Sequence, residues 1–255
     1  MNRRQSYAFA GICAAALAAT VSARPDVVPN NIVVVPRLFN DYPSSELTIT
    51  NNYPSDVTIN ERNFGSGGFA NRHTAWWSTD NGATPHGFGY ADAFDLSFTV
   101  DLDASPAQGR EAGFHSDLFG LGIFGVLPNG EIASFGSILP FQSFGNVWTP
   151  GTATTLRMIH RPGDGDGTTP GSIPSTIEYF YDTGSGPVSS GLKPFTNTEQ
   201  GIPAGFSLLL GFGVQNAGGV GGESNAVFTN FAVPGPGAGL GLGLFGLLAV
   251  RRRRA

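Results

Sequence analysis

Ten consecutive residues, Phe94 to Asp103, alternate without a break: Phe94, Leu96, Phe98, Val100 and Leu102 are apolar, and Asp95, Ser97, Thr99, Asp101 and Asp103 are polar. A period of two sends the first set to one side of an extended chain and the second to the other, whereas a helix would scatter both around its circumference. The stretch therefore reads as a strand with one buried and one wet face. Such a strand needs a second apolar layer to cover it.

The rest of the chain supplies that layer in short pieces. Asn31 to Val35 is a β-branched run between Pro29 and Pro36, and Leu47 to Thr50 and Val57 to Asn60 flank an Asn51-Asn52-Tyr53-Pro54 turn. Phe119 to Leu127 reads as a more buried strand, turned by Pro128-Asn129-Gly130 into Glu131 to Phe135. Thr154 to His160 and Ser175 to Tyr181 are joined by the loop Arg161 to Pro174. In Phe206 to Val214 the residues Phe206, Leu208, Leu210, Phe212 and Val214 point inward, and Ala226 to Val233 closes the domain. With 37 Gly, 18 Pro and 20 Phe and no amphipathic helical pattern, these strands predict an all-β antiparallel β-sandwich of jelly-roll topology. One domain over residues 24–233 is expected.

Both ends lie outside that domain. Arg3 and Arg4 precede an apolar run from Tyr7 to Ala19, and Val21-Ser22-Ala23 offers small residues for cleavage, so residues 1–23 read as a secretory signal peptide. At the other end Val233-Pro234-Gly235-Pro236 is followed by an apolar run from Gly237 to Val250 and by Arg251, Arg252, Arg253 and Arg254. The apolar run is short of the roughly 20 residues that cross a bilayer comfortably, so it reads as a short hydrophobic helix. The arginines would hold the C-terminus on the cytoplasmic side.

Cys13 lies in the leader and is the only cysteine, so the mature chain forms no disulfide and no thiolate metal site. Setting the terminal arginines aside leaves 8 basic against 19 acidic residues, a net of about −11. Such a surface disfavours phosphate backbones and anionic membranes, and nucleic acid is not an expected partner.

The tail of residues 234–255 resembles the PEP-CTERM sorting signal, with Gly235 standing where the family usually carries glutamate. That resemblance implies handling by signal peptidase and an exosortase-like enzyme, passage through an inner-membrane-anchored form, and delivery to the cell surface or an exopolysaccharide matrix. In the middle of the chain, Asn71-Arg72-His73, Trp77-Ser78, Asp80-Asn81-Gly82, Arg110-Glu111-Ala112-Gly113-Phe114 and Ile177-Glu178-Tyr179-Phe180 resemble exported planctomycete-type proteins. These are similar to concanavalin A-like lectin and glucanase sandwiches. The resemblance implies the fold and assigns no activity.

No catalytic pattern stands out. The glucanase arrangement Glu-x-Asp-x-x-Glu is absent, and Asp101 and Asp103 sit on the wet side of their strand. His115-Ser116-Asp117 holds the residue types of a hydrolase triad, but adjacency in sequence is not triad geometry. Asp164 and Asp166, set among glycines, could supply oxygen ligands to calcium or simply form a turn. Trp76 and Trp77, with His73, Asp80 and Asn81, read as a loop-like region in which exposed indoles could stack on sugar rings. In a strand the two indoles would face opposite sides, and core packing is the competing reading. The sequence thus predicts a non-catalytic exported surface or matrix protein that binds extracellular polysaccharide. A secreted glucanase-like hydrolase and a purely structural matrix component are the alternatives.

Overall fold

The computed structural model describes residues 27–65, 68–105, 109–117, 121–164, 172–195, 202, 207–217 and 221–233. The expected leader (1–23), the residues from Pro234 onward, Asp166 and Phe206 lie outside the described residues. Sixteen strands occur among the described residues: β1 (Asn31–Asn40), β2 (Glu46–Asn52), β3 (Asp56–Arg62), β4 (Ala70–Ser78), β5 (Gly87–Gly89), β6 (Phe94–Ser105), β7 (Arg110–Asp117) and β8 (Gly122–Val126), followed by β9 (Glu131–Gly136), β10 (Gln142–Asn146), β11 (Thr154–Arg161), β12 (Thr176–Asp182), β13 (Val188–Ser189), β14 (Lys193–Pro194), β15 (Ser207–Ala217) and β16 (Glu223–Ala232). No helix is among them, so none is long and apolar enough to cross a membrane.

The strands form two sheets. Sheet A has the order β1-β4-β15-β7-β8-β9-β10 with β5 beside β15, and sheet B the order β13-β12-β11-β6-β16-β3-β2 with β14 beside β12. Every pairing is antiparallel. The protein is therefore an all-β antiparallel two-sheet sandwich.

β6 shows how the sequence builds it. Its apolar set, Phe94 to Leu102 at alternate positions, is fully buried, while Asp101 and Asp103 face solvent on the outside of sheet B. Phe98 meets Phe114 (4.5 Å between centroids) and Phe212 (5.5 Å) from sheet A and Phe228 (5.6 Å) from its own sheet. Burying each such ring contributes about 1.5–3 kcal/mol, and tilted contacts between rings add to it. The expected inward residues of β15, Leu208, Leu210, Phe212 and Val214, occupy the facing layer. The Asn129-Gly130 turn joins β8 to β9, with Gly130 at φ 88° supplying the left-handed residue.

One end of the sandwich is closed by a polar staple. Glu61 of β3 is fully buried between the sheets. Its Oε1 accepts hydrogen bonds from Ser45 Oγ (2.5 Å) and Asn71 Nδ2 (2.6 Å), and its Oε2 from His73 Nε2 (2.8 Å) and Asn216 Nδ2 (2.9 Å). The Arg37 backbone N–H donates to His73 Nδ1 (2.9 Å), so the ring proton faces Glu61. Arg37 Nη1 stands 3.7 Å from Oε1. Burial pushes the Glu61 pKa up, and the hydrogen bonds from His73, Ser45 and Asn71 outweigh it, leaving the carboxyl at about 2. This end, where β3 stops and β4, β7 and β16 begin, is called the upper end below. At the lower end β16 runs out beside Ser97 and the chain enters through the Val27 N–H bond to the Ala93 carbonyl.

Candidate functional site

The residues singled out for sugar stacking do not gather. The region of Trp76 and Trp77 is not a loop but strand β4, the second strand of sheet A, buried along its whole length. Trp77 points inward and is 0% exposed, with Phe212 at 5.2 Å and Tyr53 and Phe231 each at 6.1 Å. Trp76 points to the other side, as neighbours in a strand must, and is 2% exposed. Neither indole presents an open face, which corrects the expectation of exposed stacking platforms. His73 belongs to the staple. Asp80 and Asn81 lie in a surface turn, where the Asp80 carboxylate accepts from Ser78 Oγ (2.6 Å), Thr84 Oγ1 (2.7 Å) and the Ala83 and Thr84 N–H groups (3.0 Å each). Those bonds, Ser78 foremost, hold its pKa well below the usual carboxylate range. Asn81, at φ 62°, accepts from Asn31 Nδ2 through its carbonyl (3.0 Å).

Asp164 likewise serves its loop: its Oδ1 accepts the Ile173 N–H (2.5 Å) and its own N–H donates to the Ile173 carbonyl (3.0 Å). Among the described residues no three His, Asp or Glu side chains converge as a metal-binding group. Of the sorting motif only Val233 is described; it packs against the core.

A different cluster emerges on the outer face of sheet A. Arg72 and Thr74 of β4 and His115 of β7 are separated by β15, and two strand spacings put their backbones about 9–10 Å apart. They nevertheless touch. Arg72 Nε donates to His115 Nδ1 (3.2 Å), and Thr74 Oγ1 lies 3.0 Å from the same nitrogen. The contact is possible because the β15 positions beneath it are Gly211, opposite Trp76 and His115, and Gly213, opposite Thr74 and Gly113. Any side chain there would stand in the way. An added Cβ at Gly213 would also fall 2.0 Å from the His73 carbonyl oxygen, and one at Gly211 2.2 Å from that of Ala75.

The protonation pattern follows from the donors. A guanidinium N–H can only donate, so His115 Nδ1 is an acceptor and the ring proton sits on Nε2. Nε2 is buried and has no hydrogen-bond partner among the described residues. Burial first, and the Arg72 charge second, hold the His115 pKa well below its ordinary value. Arg72 is 1% exposed, donates from Nη2 to the Ser116 carbonyl (3.0 Å) and has its guanidinium carbon 5.8 Å from the Phe39 ring centre. Desolvation pulls its pKa down to about 10 against the pull of the Asp117 and Glu111 carboxylates.

Across Gln215 from Arg72 in the sheet register lies Glu111 of β7. Desolvation raises its carboxyl to about 7, with Arg72 opposing the rise. Gln215 Nε2 is 3.4 Å from Glu111 Oε2, and both residues are half-buried, as is Asp117. The site thus combines a fixed cation, an unengaged imidazole N–H and a carboxyl that titrates near neutrality. Such a set can bind a group rich in oxygen acceptors, and a carboxyl poised near pH 7 can also move a proton.

Sequence reasoning names these residues without joining them. His115 enters it only as part of a triad, and Arg72 and Glu111 only within a resemblance. The signal that could find them is the Gly211-x-Gly213 pair inside an otherwise bulky strand, which marks a close approach.

No family model matches the chain, and no curated protein matches it in sequence. Among solved structures it is similar to an alginate lyase, AlgAT5, of polysaccharide lyase family 7, at 12% identity over 72% of this chain and 80% of that one, with a TM-score of 0.48. It is also similar to lectin II from Ulex europaeus, at 10% identity over 80% of this chain and 95% of that one, with a TM-score of 0.40.

Proposed function

We propose that this protein is a non-catalytic, exported component of the cell surface or an exopolysaccharide matrix, and that it binds glycan on the outer face of sheet A. The observation that carries the binding reading is the Nε2–H of His115, buried beside the Arg72 guanidinium and without a hydrogen-bond partner among the described residues. An orphaned donor costs free energy unless something outside the fold uses it, and a sugar hydroxyl or carboxylate oxygen is a fitting acceptor. Export rests on the leader-like residues 1–23 and the tail of residues 234–255, whose exosortase-type motif and terminal arginines imply an inner-membrane stage before release.

The test has two arms. Fractionation of cells producing the full chain should find it outside the cytoplasm with its leader removed; unprocessed protein in the cytoplasm overturns the export reading. Affinity electrophoresis through acidic and neutral polysaccharides should show retardation that His115→Ala and Arg72→Gln abolish. Equal mobility of wild type and variants in every polysaccharide removes the binding site from this face.

A hydrolase is the second reading, favoured by the Glu111 carboxyl held near pH 7. The other carboxylate on that strand face, Asp117, is six residues along β7, about 20 Å away at the backbone. A glycosidase pair needs its carboxyl groups about 5–9.5 Å apart, so the two do not form one.

A further inference from the structure

The two ends of the sandwich differ in what they expose. The described large apolar side chains left open to solvent are mostly at the lower end: Phe141 (68% exposed), Ile173 (64%) and Leu192 (60%), with Leu121 and Val28 less so. The strand registers place them there. Gln142 pairs with Ser134 and Gly122 with Gly136, at the lower ends of β9 and β10 and of β8; Lys193 pairs with Ile177 at the lower end of β12. The upper end has Phe69, partly engaged by Phe39 (6.5 Å), and the smaller Val147 and Val188. Of the described carboxylates in the lower loops, Asp80, Asp92 and Asp164 accept backbone N–H groups of their own loops, and Asp56 at the β2–β3 turn accepts from Asn52 Nδ2 (3.2 Å).

The chain also leaves from this end. β16 closes with Ala232 opposite Ser97, and Val233 is packed on the core. The apolar run of the tail starts at Gly237, four residues on, so the connection spans at most about 14 Å. β6, at 12 residues, is about 40 Å long. While the tail is in the membrane, the lower end cannot move far from its surface, and the upper end reaches that surface only if the sandwich lies on its side.

We propose that in the tail-bearing form the lower end of the sandwich rests on the phospholipid bilayer, with Phe141, Ile173 and Leu192 entering the headgroup interface. This rests on the tail acting as an anchor, as in the function proposed above. The short tether keeps these side chains at the surface, so even weak apolar insertion is enough to hold the orientation.

The experiment uses residues 24–255, the form left once the leader is removed and free of cysteine, reconstituted into vesicles of phosphatidylethanolamine and phosphatidylcholine. Single cysteines at Phe141, Ile173 and Leu192, and at Phe69 and Val188 as upper-end references, carry an environment-sensitive fluorophore. Co-flotation with vesicles reports the anchor. Quenching by a lipid-borne quencher reports the docking, and should be at least threefold stronger at the three lower positions than at the two references. Flotation with equal quenching at both ends overturns the docking and leaves the anchor standing. Absence of flotation overturns both. Shielding of the lower labels in lipid-free detergent, growing with protein concentration, would make a second copy the occupant and equally overturn the proposal.

Discussion

Replacing Glu61 by glutamine isolates a fully buried carboxylate with four hydrogen-bond donors from the rest of the protein's acid response. The carboxyl falls from an ordinary 4.5 to about 2 on folding. At about 1.4 kcal/mol per pH unit this corresponds to about 3 kcal/mol of stability at neutral pH. A depressed carboxyl stabilises the fold above its unfolded pKa, and that contribution is lost as the pH drops from about 4.5 through about 2. Linkage over this window removes about 2 kcal/mol of it between pH 7 and pH 3. The new carboxamide must turn its N–H₂ either toward His73 and Asn216 or toward Ser45 and Asn71, and in each orientation it meets a group that already donates, so the replacement cannot restore the network. Urea unfolding of wild type and Glu61→Gln at pH 7 and pH 3 measures all four stabilities. The variant is expected to be about 3 kcal/mol weaker at pH 7, and its loss between pH 7 and pH 3 should be smaller than that of wild type by about 2 kcal/mol. The other carboxylates cancel in this double difference. If both proteins lose the same amount on acidification, the staple does not hold an ionised glutamate and the reasoning fails.

Further expectations concern the sheet A face and the core. Gly213→Ala places a methyl group against the His73 carbonyl and should cost about 2–3 kcal/mol, lowering Tm by roughly 5–10 °C, while polysaccharide retardation disappears; an unchanged melting curve would show that β15 has room there. Glu111 has the opposite sign to Glu61: its folded pKa of about 7 lies above the ordinary value, so its contribution is present below pH 4.5 and lost as the pH rises through 7. Glu111→Gln should therefore be more stable than wild type at pH 8, by about 1–3 kcal/mol, and no more stable at pH 4; equal stability at both pH values refutes the buried position of the carboxyl. Trp77→Ala, at a 0% exposed site against Phe212, Tyr53 and Phe231, should cost about 3–5 kcal/mol in chemical unfolding. A loss under 1 kcal/mol would mean that the indole is not part of the core.

Where the sheet has one wet side, the sequence carries the pattern openly. β6 and the inward half of β15 are readable because their inner positions are Phe, Leu and Val, while the outer ones are Asp, Ser and Thr in β6 and Ser, Leu, Gly and Gln in β15. The Asn129-Gly130 hairpin is readable because the turn demands a left-handed residue. β4 and β7 are not. Both lie inside sheet A with nearly every residue buried, and their polar members are stabilised by partners distant in sequence: Asn71 by Glu61 and Ser45, Arg72 by His115 and Ser116, His73 by Glu61 and Arg37. No local periodicity records such partnerships, so Asn-Arg-His-Thr in front of two tryptophans looks like a loop.

By itself, the sequence determined the class of fold and gave its two ends the look of handling signals, because alternation, turn residues and apolar runs act over neighbouring positions. The tertiary structure alone decided which side chains meet. Trp76 and Trp77 went to opposite faces and out of solvent, His73 to a staple between the sheets, and His115 across the bare backbone of Gly211 and Gly213 to Arg72. Those contacts depend on strand order, which places β15 between β4 and β7 although it follows them by some hundred residues, and strand order is set by packing over the whole chain rather than by any one stretch.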